Sequence, residues 1–307
     1  MSAPALRIGT RGSPLALAQT EQARALMIAA DPDLGGSGCI EVVVIRTTGD
    51  KVTDRPLADL GGKGLFSKEI DEAMLAHRID LAVHSVKDLP TWLPDGLILG
   101  AVLPRADPRD VLIGEAGSID ALAPRAIVGT ASLRRKAQLL MRRPDLQVIS
   151  LRGNVQTRLR KVAAGEVAAT LLARAGLFRL GLAGEGTVLE IEDMLPAVGQ
   201  GAIGITCREH DEGMRSLLSR IDDPGSTLEV TAERAMLSAL DGSCRTPIAG
   251  LARETGGVLA LRGLVARPDG SAVVSGSRRA GAVDAEAAGL DLGRELRGRA
   301  AAGFFED

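Results

Sequence analysis

The sequence predicts an α/β protein with largely parallel sheets covered by helices, followed by a small C-terminal α+β domain. Over the first two-thirds of the 307 residues, strand-like apolar runs alternate with helix-like segments, which is typical of α/β units. After residues 219–227 the order changes to a helix, three short strands and a final helix. A chain that is 45% hydrophobic and 25% charged is globular, and 307 residues are enough for two or three domains.

The first repeat of this pattern is a strand at 6–10 followed by a helix. Ser13 suits the N-cap of that helix, and Pro14 suits its first position because proline has no amide to leave unpaired. A second helix is predicted to bury the face formed by Ile70, Ala73, Met74 and His77. Further strands are predicted at 40–49, 79–85, 126–130, 146–151 and 168–173. Two polar, proline-containing stretches, 104–110 and 219–227, are predicted to connect domains.

Several classes of protein are disfavoured by composition. No apolar run approaches the roughly 20 residues of a membrane span, and from the residues before the first strand we expect no secretion signal. The three cysteines form no C-x-x-C pair and the three histidines are scattered, so we expect no metal site and a cytoplasmic protein. Aromatic residues are only 2% of the chain, which disfavours binding of single-stranded nucleic acid by base stacking.

Arginine is concentrated in one part of the chain. Six of the 37 basic residues are lysines, so 31 are arginines. Between residues 125 and 179 there are ten arginines and two lysines against two acids, a local charge of about +10 in a protein of net charge −2. This segment is expected to bind an anionic partner: a polycarboxylate, a phosphate compound or nucleic acid.

The arginines also stand where a helix begins. The helix N-terminus carries a partial positive charge, so a cation there costs roughly 0.3–1 kcal/mol unless an anion offsets it. One explanation is a bound anionic ligand, and the other is pairing with carboxylates from elsewhere in the chain. For a single arginine we favour the internal carboxylate, and for the whole set we favour the ligand. The residues concerned are Arg11, Arg134, Arg135, Arg152 and Arg158.

Two further residues are candidates for chemistry. Asp88 follows a predicted strand, beside Lys87, and an ionised carboxylate there could stabilise a developing cation or move a proton. Cys244 lies in a polar turn next to Arg245, which favours the thiolate. A covalent anchor for a cofactor fits this cysteine better than a nucleophile, whereas Cys39 and Cys207 are expected to be packing or inert residues.

Eight stretches occur in order along the chain: IGTRGSPLALAQ, GGKGLFSKEID, AVHSVKDLP, DPRDVLIG, GTASLRRKAQL, LRGNVQTRL, LPAVGQGAIGI and LDGSCRTPI. Together they resemble the porphobilinogen deaminases, also called hydroxymethylbilane synthases, from about residue 6 to residue 300. The resemblance implies condensation of four porphobilinogen molecules to hydroxymethylbilane with release of ammonia. It also implies a dipyrromethane cofactor joined to Cys244 by a thioether, a product passed to uroporphyrinogen III synthase, and a monomeric cytoplasmic enzyme.

The resemblance also implies roles for individual residues. Asp88 would be the catalytic residue. Contacts to the cofactor would come from Ser13, Lys87, Asp88, Thr130, Ser132, Arg134, Arg135 and Arg158. Contacts to the substrate would come from Arg11, Ser13, Lys63, Phe66, Arg152, Arg158 and Arg179, with Lys63 and Phe66 in a loop over the site. Phe178 stands where the family often has a basic residue, and Arg174 adds a charge nearby.

The implied fold has two lobes like those of a periplasmic binding protein, with a cleft between them. Domain 1 would comprise 1–103 and 203–219, domain 2 would comprise 104–202, and domain 3 would comprise 220–307 with the cofactor cysteine. Two other hypotheses are a two-lobed anion-binding receptor without catalysis and an RNA-binding protein that uses the segment 125–179. The receptor hypothesis gives no reason for Cys244 or for a third domain.

Overall fold

The computed structural model describes residues 6–51, 64–241, 247–300 and 304. Its strands are β1 Leu6–Thr10, β2 Ile40–Val44, β3 Leu81–Ser85, β4 Leu97–Val102, β5 Asp110–Gly114, β6 Ile127–Gly129, β7 Gln147–Ile149, β8 Ala169–Ala173, β9 Thr187–Val188, β10 Ile203–Arg208, β11 Ile248–Thr255, β12 Val258–Ala266 and β13 Val273–Gly281. Its α-helices are α1 Pro14–Ala30, α2 Thr48–Lys51, α3 Lys68–Leu75, α4 Leu133–Arg142, α5 Val155–Ala163, α6 Arg174–Arg179, α7 Glu212–Ser219, α8 Pro224–Ala239 and α9 Ala285–Arg299.

The first of two compact units contains the described residues in 6–51, 64–106 and 202–227. Its sheet has the order β2-β1-β3-β10-β4. β1 is parallel to β2 and β3, whereas β10 is antiparallel to β3 and β4. Apolar residues of the sheet and of α1, such as Ile8, Met27 and Ile205, form its core. Because β1 and β3 are parallel neighbours, both end at the same edge of the sheet.

The second unit contains the described residues in 107–201 and from 228 onward. One of its sheets has the order β7-β6-β8-β5-β9, in which β6 is parallel to β7 and β8 while β5 is antiparallel to β8 and β9. The other sheet, β11-β12-β13, is antiparallel, and α9 packs on it around Leu261, Leu292 and Leu296. The predicted α/β class and the C-terminal α+β region are therefore confirmed, and the three-domain division stays a prediction.

Two expectations about these elements are wrong. Each five-stranded sheet is mixed rather than largely parallel, because the apolar pattern of a strand does not encode its direction. His77 does not lie on the buried face of α3: the helix ends at Leu75, and His77 is exposed with φ of 54°. Ile70, Ala73 and Met74 are buried as predicted. None of the helices in the described ranges is long and apolar enough to cross a membrane.

Candidate functional site

A small pocket of about 50 Å³ lies in the first unit, at the edge where β1 and β3 end. Its lining includes Arg11, Ser13, Phe66, His84 and Asp88. Arg11 directly follows β1, Ser13 precedes α1, and Asp88 ends a 3₁₀ helix that continues from β3. Four residues predicted for the site from sequence thus line one pocket: Arg11, Ser13 and Asp88 follow two neighbouring parallel strands, and Phe66 lies just before α3.

The side chain of Asp88 is the exposed acid of this pocket. Within the described ranges, no hydrogen bond or ion pair holds its carboxylate. Lys87, the preceding residue, is half-buried. An exposed carboxylate next to a pocket that also contains a guanidinium can accept a hydrogen bond from a bound ligand or stabilise positive charge on it.

The polar residues on α1 and β3 fix the walls of the pocket. Ser13 is the N-cap of α1, as predicted, and its Oγ accepts a hydrogen bond from the amide of Ala16 at 3.2 Å. The side-chain amide of Gln19, a buried residue, donates to Ser85 Oγ at 2.8 Å, and that hydroxyl donates back to Gln19 Oε1 at 3.1 Å. These paired bonds connect the helix to the end of the strand.

Arg11 is held by an internal carboxylate. Its Nε and Nη2 atoms donate to Asp50 at 3.2 and 2.5 Å, and Thr47 Oγ1 donates to the same carboxylate at 2.8 Å. Burial favours a higher pKa for Asp50, but the hydrogen bonds from Arg11 and Thr47 outweigh burial and lower that pKa. The guanidinium also lies over the ring of Phe66, 4.1 Å from its centroid. Arg11 is therefore positioned in the pocket by a salt bridge and a cation–π contact.

His84 is one of the residues that line the pocket. It is buried, and its Nε2 lies 3.1 Å from Thr206 Oγ1. Burial, with a smaller contribution from the charge of Arg11, lowers the pKa of His84 to about 4. The imidazole is therefore neutral at neutral pH and adds no charge to the pocket.

In the second unit, Arg134 and Arg135 begin α4 and share one buried carboxylate. Arg134 Nη2 donates to Asp110 Oδ2 and Arg135 Nη2 donates to Asp110 Oδ1, each at 2.8 Å. Their Nη1 atoms each donate to a backbone carbonyl at 2.7 Å. Burial opposes ionisation of Asp110, but the charges of both arginines outweigh it and hold its pKa well below the usual range. The three side chains keep one net positive charge.

The guanidinium of Arg158, on α5, is less neutralised. It is half-buried, its Nε donates to Gly153 O at 2.9 Å, and in the described parts of the chain no carboxylate pairs with it. Burial and repulsion by Arg135 and Arg152 lower the pKa of Arg158 to about 10. A group of arginines that repel one another is a site that favours an anion.

Arg179 lies at the end of α6, where its Nη2 donates to Gly201 O at 2.8 Å. Burial lowers the pKa of Arg179 to about 10. Next to it, Phe178 is 68% exposed and Arg174 pairs with Asp107 at 2.9 Å. The charge that Arg174 adds is therefore balanced by an acid of the same unit.

The two predicted hydroxyl residues before α4 are engaged locally. Ser132 caps α4, with its Oγ accepting from the amide of Arg135 at 3.4 Å. The hydroxyl oxygen of Thr130, which is buried, accepts from the amide of Ser132 at 3.2 Å. Both residues hold the helix start that carries the two arginines. Lys63 and Cys244 lie outside the described residues.

Several residues of these sites were not predicted. Asp50 and Asp110 lie 39 residues from Arg11 and 24 residues from Arg134, so spacing along the chain does not connect them. The internal carboxylates found for Arg11, Arg134 and Arg135 are the alternative to a ligand that the sequence left open. In the described ranges, no group of three His, Cys, Asp or Glu side chains is arranged to hold a metal ion.

Comparison with known proteins places the chain among its relatives. A family model described as porphobilinogen deaminase, dipyrromethane cofactor binding domain, matches residues 6–216, which is more than half of the chain. The chain belongs to the porphobilinogen deaminase family. A second model, the C-terminal domain of porphobilinogen deaminase, matches residues 227–298.

Relatives in this family align over nearly the full chain. The porphobilinogen deaminase of Paracoccus denitrificans is 53% identical over 304 residues, covering 98% of this chain and 96% of that protein. The chloroplastic porphobilinogen deaminase of Oryza sativa subsp. japonica is 53% identical over 307 residues, covering 98% and 86%. Among solved structures, the periplasmic aliphatic sulphonate binding protein of Escherichia coli is 15% identical with a TM-score of 0.41, covering 78% of this chain and 71% of that one.

The residues of the second unit fit the dipyrromethane cofactor of the porphobilinogen deaminase family. The Nε atoms of Arg134 and Arg135 are buried and have no hydrogen-bond partner among the described residues. A buried donor without an acceptor is costly, and a bound carboxylate would supply the acceptor. Arg158 adds a positive charge that no acid within the described ranges balances. The donor set therefore suits a cofactor that carries several carboxylates.

Proposed function

We propose that this chain joins four porphobilinogen molecules head to tail into hydroxymethylbilane, with release of ammonia, on a dipyrromethane attached to Cys244 by a thioether. The observation that carries this proposal is the pocket that brings together Asp88, Arg11, Ser13 and Phe66. In a member of the porphobilinogen deaminase family, that grouping supplies an acid for the reaction and a cation for the substrate.

The arginines serve as carboxylate receptors in this proposal. Each pyrrole ring carries an acetate and a propionate group, so a growing chain of rings gains negative charge with every addition. Arg11 and Phe66 would bind substrate in the first unit, with Lys63 added from the sequence resemblance. In the second unit, Arg152, Arg158 and Arg179 would bind the carboxylates of substrate. A bidentate guanidinium–carboxylate pair combines charge with orientation, so these residues would set the position of each ring.

Asp88 is the residue we assign to the chemistry. Its carboxylate is exposed at the pocket and pairs with no cation among the described residues, so it can accept hydrogen bonds from pyrrole N–H groups. As ammonia leaves, positive charge develops on the ring, and the carboxylate stabilises that charge. The neutral His84 in the same pocket lining adds no competing positive charge.

The sequence resemblance names the residues that would hold the cofactor. When bound, dipyrromethane supplies the free pyrrole α-carbon to which the first substrate is added, and its thioether keeps the growing chain attached. Its contacts would be Ser13, Lys87, Asp88, Thr130, Ser132, Arg134, Arg135 and Arg158. Ser132 and Thr130 also support the start of α4, so their contribution includes holding the arginine pair in place.

The cellular setting follows from the same proposal. We assign the chain to the cytoplasm as a monomer and its product to uroporphyrinogen III synthase. The relative from Oryza sativa is named as chloroplastic, whereas the one from Paracoccus denitrificans carries no such label.

The attachment of the cofactor can be tested by intact mass under denaturing conditions. Protein purified from a porphobilinogen-producing host should carry the added mass of one dipyrromethane and should release ammonia from porphobilinogen. Cys244→Ser should lack both the added mass and the activity. Cys39→Ser, which changes a half-buried cysteine of the first unit, should retain both. Added mass on Cys244→Ser would contradict the assignment of the anchor.

A further inference from the structure

A buried turn, Val198–Gly201, contacts the groups that hold three of the predicted carboxylate-binding arginines. Gly199 and Gly201 have φ of 70° and 90°, a left-handed backbone that glycine adopts without strain. The side chain of Gln200 between them is 1% exposed. The conformation of the turn therefore directs Gln200 inward.

The first contact of the turn is with Asp110. Gln200 Nε2 donates to Asp110 Oδ1 at 2.8 Å and to Pro108 O at 2.6 Å. Asp110 Oδ1 is the same oxygen that accepts from Arg135, while Oδ2 accepts from Arg134. Gln200 thus limits the rotation of the carboxylate on which both guanidiniums are fixed.

The second contact is direct. Gly201 O accepts from Arg179 Nη2 at 2.8 Å, only one residue beyond Gln200. The position of this carbonyl depends on the same turn. One short segment therefore orients Arg134 and Arg135 through Asp110, and Arg179 through its own backbone.

The turn is itself fixed to the C-terminal part of the second unit. Gly199 N donates to Glu233 Oε2 at 2.6 Å, and Ala252 N donates to Glu233 Oε1 at 2.7 Å. Glu233 is fully buried on α8, and Ala252 belongs to β11. The carboxylate of Glu233 thus connects the turn both to α8, which precedes Cys244 in the sequence, and to the C-terminal sheet.

We infer that Gln200 and Asp110 are positioning residues for carboxylate binding. The Val198–Gly201 turn, on this inference, sets the geometry of Arg134, Arg135 and Arg179 together. The inference rests on the proposed function, because the carboxylates concerned are those of the pyrrole rings. Neither residue needs to touch the ligand. Their effect is on affinity, while the reaction itself stays with Asp88 in the other unit.

The test is Gln200→Leu, compared with Thr170→Val in the same unit. Leucine cannot donate to Asp110 or Pro108. We expect the KM for porphobilinogen to rise about tenfold and the fraction of protein carrying the cofactor to fall, while kcat of the loaded enzyme changes by less than about twofold. Gln200→Asn, one methylene shorter, should give the same rise in KM if the leucine variant does not fold.

Thr170→Val controls for lost stability alone. Thr170 is fully buried, and its Oγ1 donates to Gly129 O at 2.7 Å. This control should lower Tm and leave KM unchanged. A Gln200 variant that loses only Tm, with the KM of the wild type, would overturn the inference. If the wild type itself does not convert porphobilinogen, the proposed function fails, which is a separate result.

Discussion

At the scale of single residues, two aspartates show how environment divides roles within one chain. In the part of the chain that the structure describes, Asp88 is exposed and has no cation partner, whereas Asp110 is fully buried and accepts hydrogen bonds from two arginines and a glutamine. A fully buried carboxylate that is already bonded to three donors is not accessible to a reacting ligand. The same residue type can therefore hold other side chains in place in one unit and, in the function proposed above, carry out chemistry in the other.

This contrast predicts the effect of Asp88→Asn. The amide is neutral, so it cannot stabilise the positive charge that develops as ammonia leaves, although it retains the shape of the carboxylate. We expect kcat to fall by at least about 100-fold while the protein folds normally and still carries the cofactor. Steady-state release of ammonia and intact mass measure the two properties separately.

Asp95→Asn is the matched control for that change. Asp95 is an exposed aspartate seven positions further along the chain and does not line the pocket. Its variant should keep the activity of the wild type. Nearly normal turnover by Asp88→Asn would remove Asp88 from the catalytic role.

At the scale of elements, the sequence predicted local features such as helix caps, but it did not predict whether neighbouring strands run parallel or antiparallel. Ser13 could be predicted as a cap because capping depends on residues three positions apart. The antiparallel course of β10 could not, because it is set by how distant strands meet in the sheet. The end of α3 before His77 was missed because a left-handed residue at that point has no strong sequence signal.

The same distinction holds for the site. The residues of the first pocket could be named from motifs, since Arg11 and Ser13 share one stretch and Asp88 follows a strand. Their surroundings could not, because Asp50 and His84 act through contacts made only in the folded chain. The unfavourable interaction of a cation with a helix N-terminus identified which arginines needed an anionic partner. That interaction could not distinguish Arg135 from Arg158. Arg135 forms a salt bridge with Asp110, whereas Arg158 pairs with no acid among the described residues.

Helix α5 offers a test of that distinction within one element. Arg158 is half-buried and repelled by its neighbours, whereas Arg160 is exposed and donates to Thr157 Oγ1 at 3.4 Å. We expect Arg158→Gln to raise the KM for porphobilinogen about tenfold because one charge-assisted contact is lost. Arg160→Gln should leave KM unchanged. Equal effects of the two changes in steady-state kinetics would show that overall charge, rather than the position of Arg158, controls binding.

At the scale of the whole molecule, charge and chemistry are assigned to different parts of the chain. The net charge is −2, yet the segment 125–179 of the second unit carries about +10. The first unit contains Asp88, and a neutral histidine, His84, lines the same pocket. Under the proposed function, the basic segment would bind the carboxylates of an acidic substrate. Asp88 would be the reacting carboxylate, in a unit where protonation of His84 is disfavoured.

The buried His84 makes the stability of the first unit depend on pH. Its pKa is lowered from 6.5 to about 4 by burial and by Arg11, so the unfolded chain binds more protons between those values. The contribution of neutral His84 to the free energy of unfolding is therefore fully present above pH 6.5 and is lost as the pH falls toward 4. Between about pH 7.5 and about pH 5 this group should cost about 2 kcal/mol of unfolding free energy.

Urea unfolding at those two pH values measures this cost. The single tryptophan, Trp92, lies in the first unit, so its fluorescence follows the part of the chain that contains His84. His84→Gln keeps a polar side chain next to Thr206 and cannot be protonated in this range. The variant should lose about 2 kcal/mol less than the wild type on acidification. If both proteins lose the same free energy of unfolding on acidification, a group other than His84 controls the acid sensitivity. His84 would then not have the lowered pKa that keeps it neutral in this pocket.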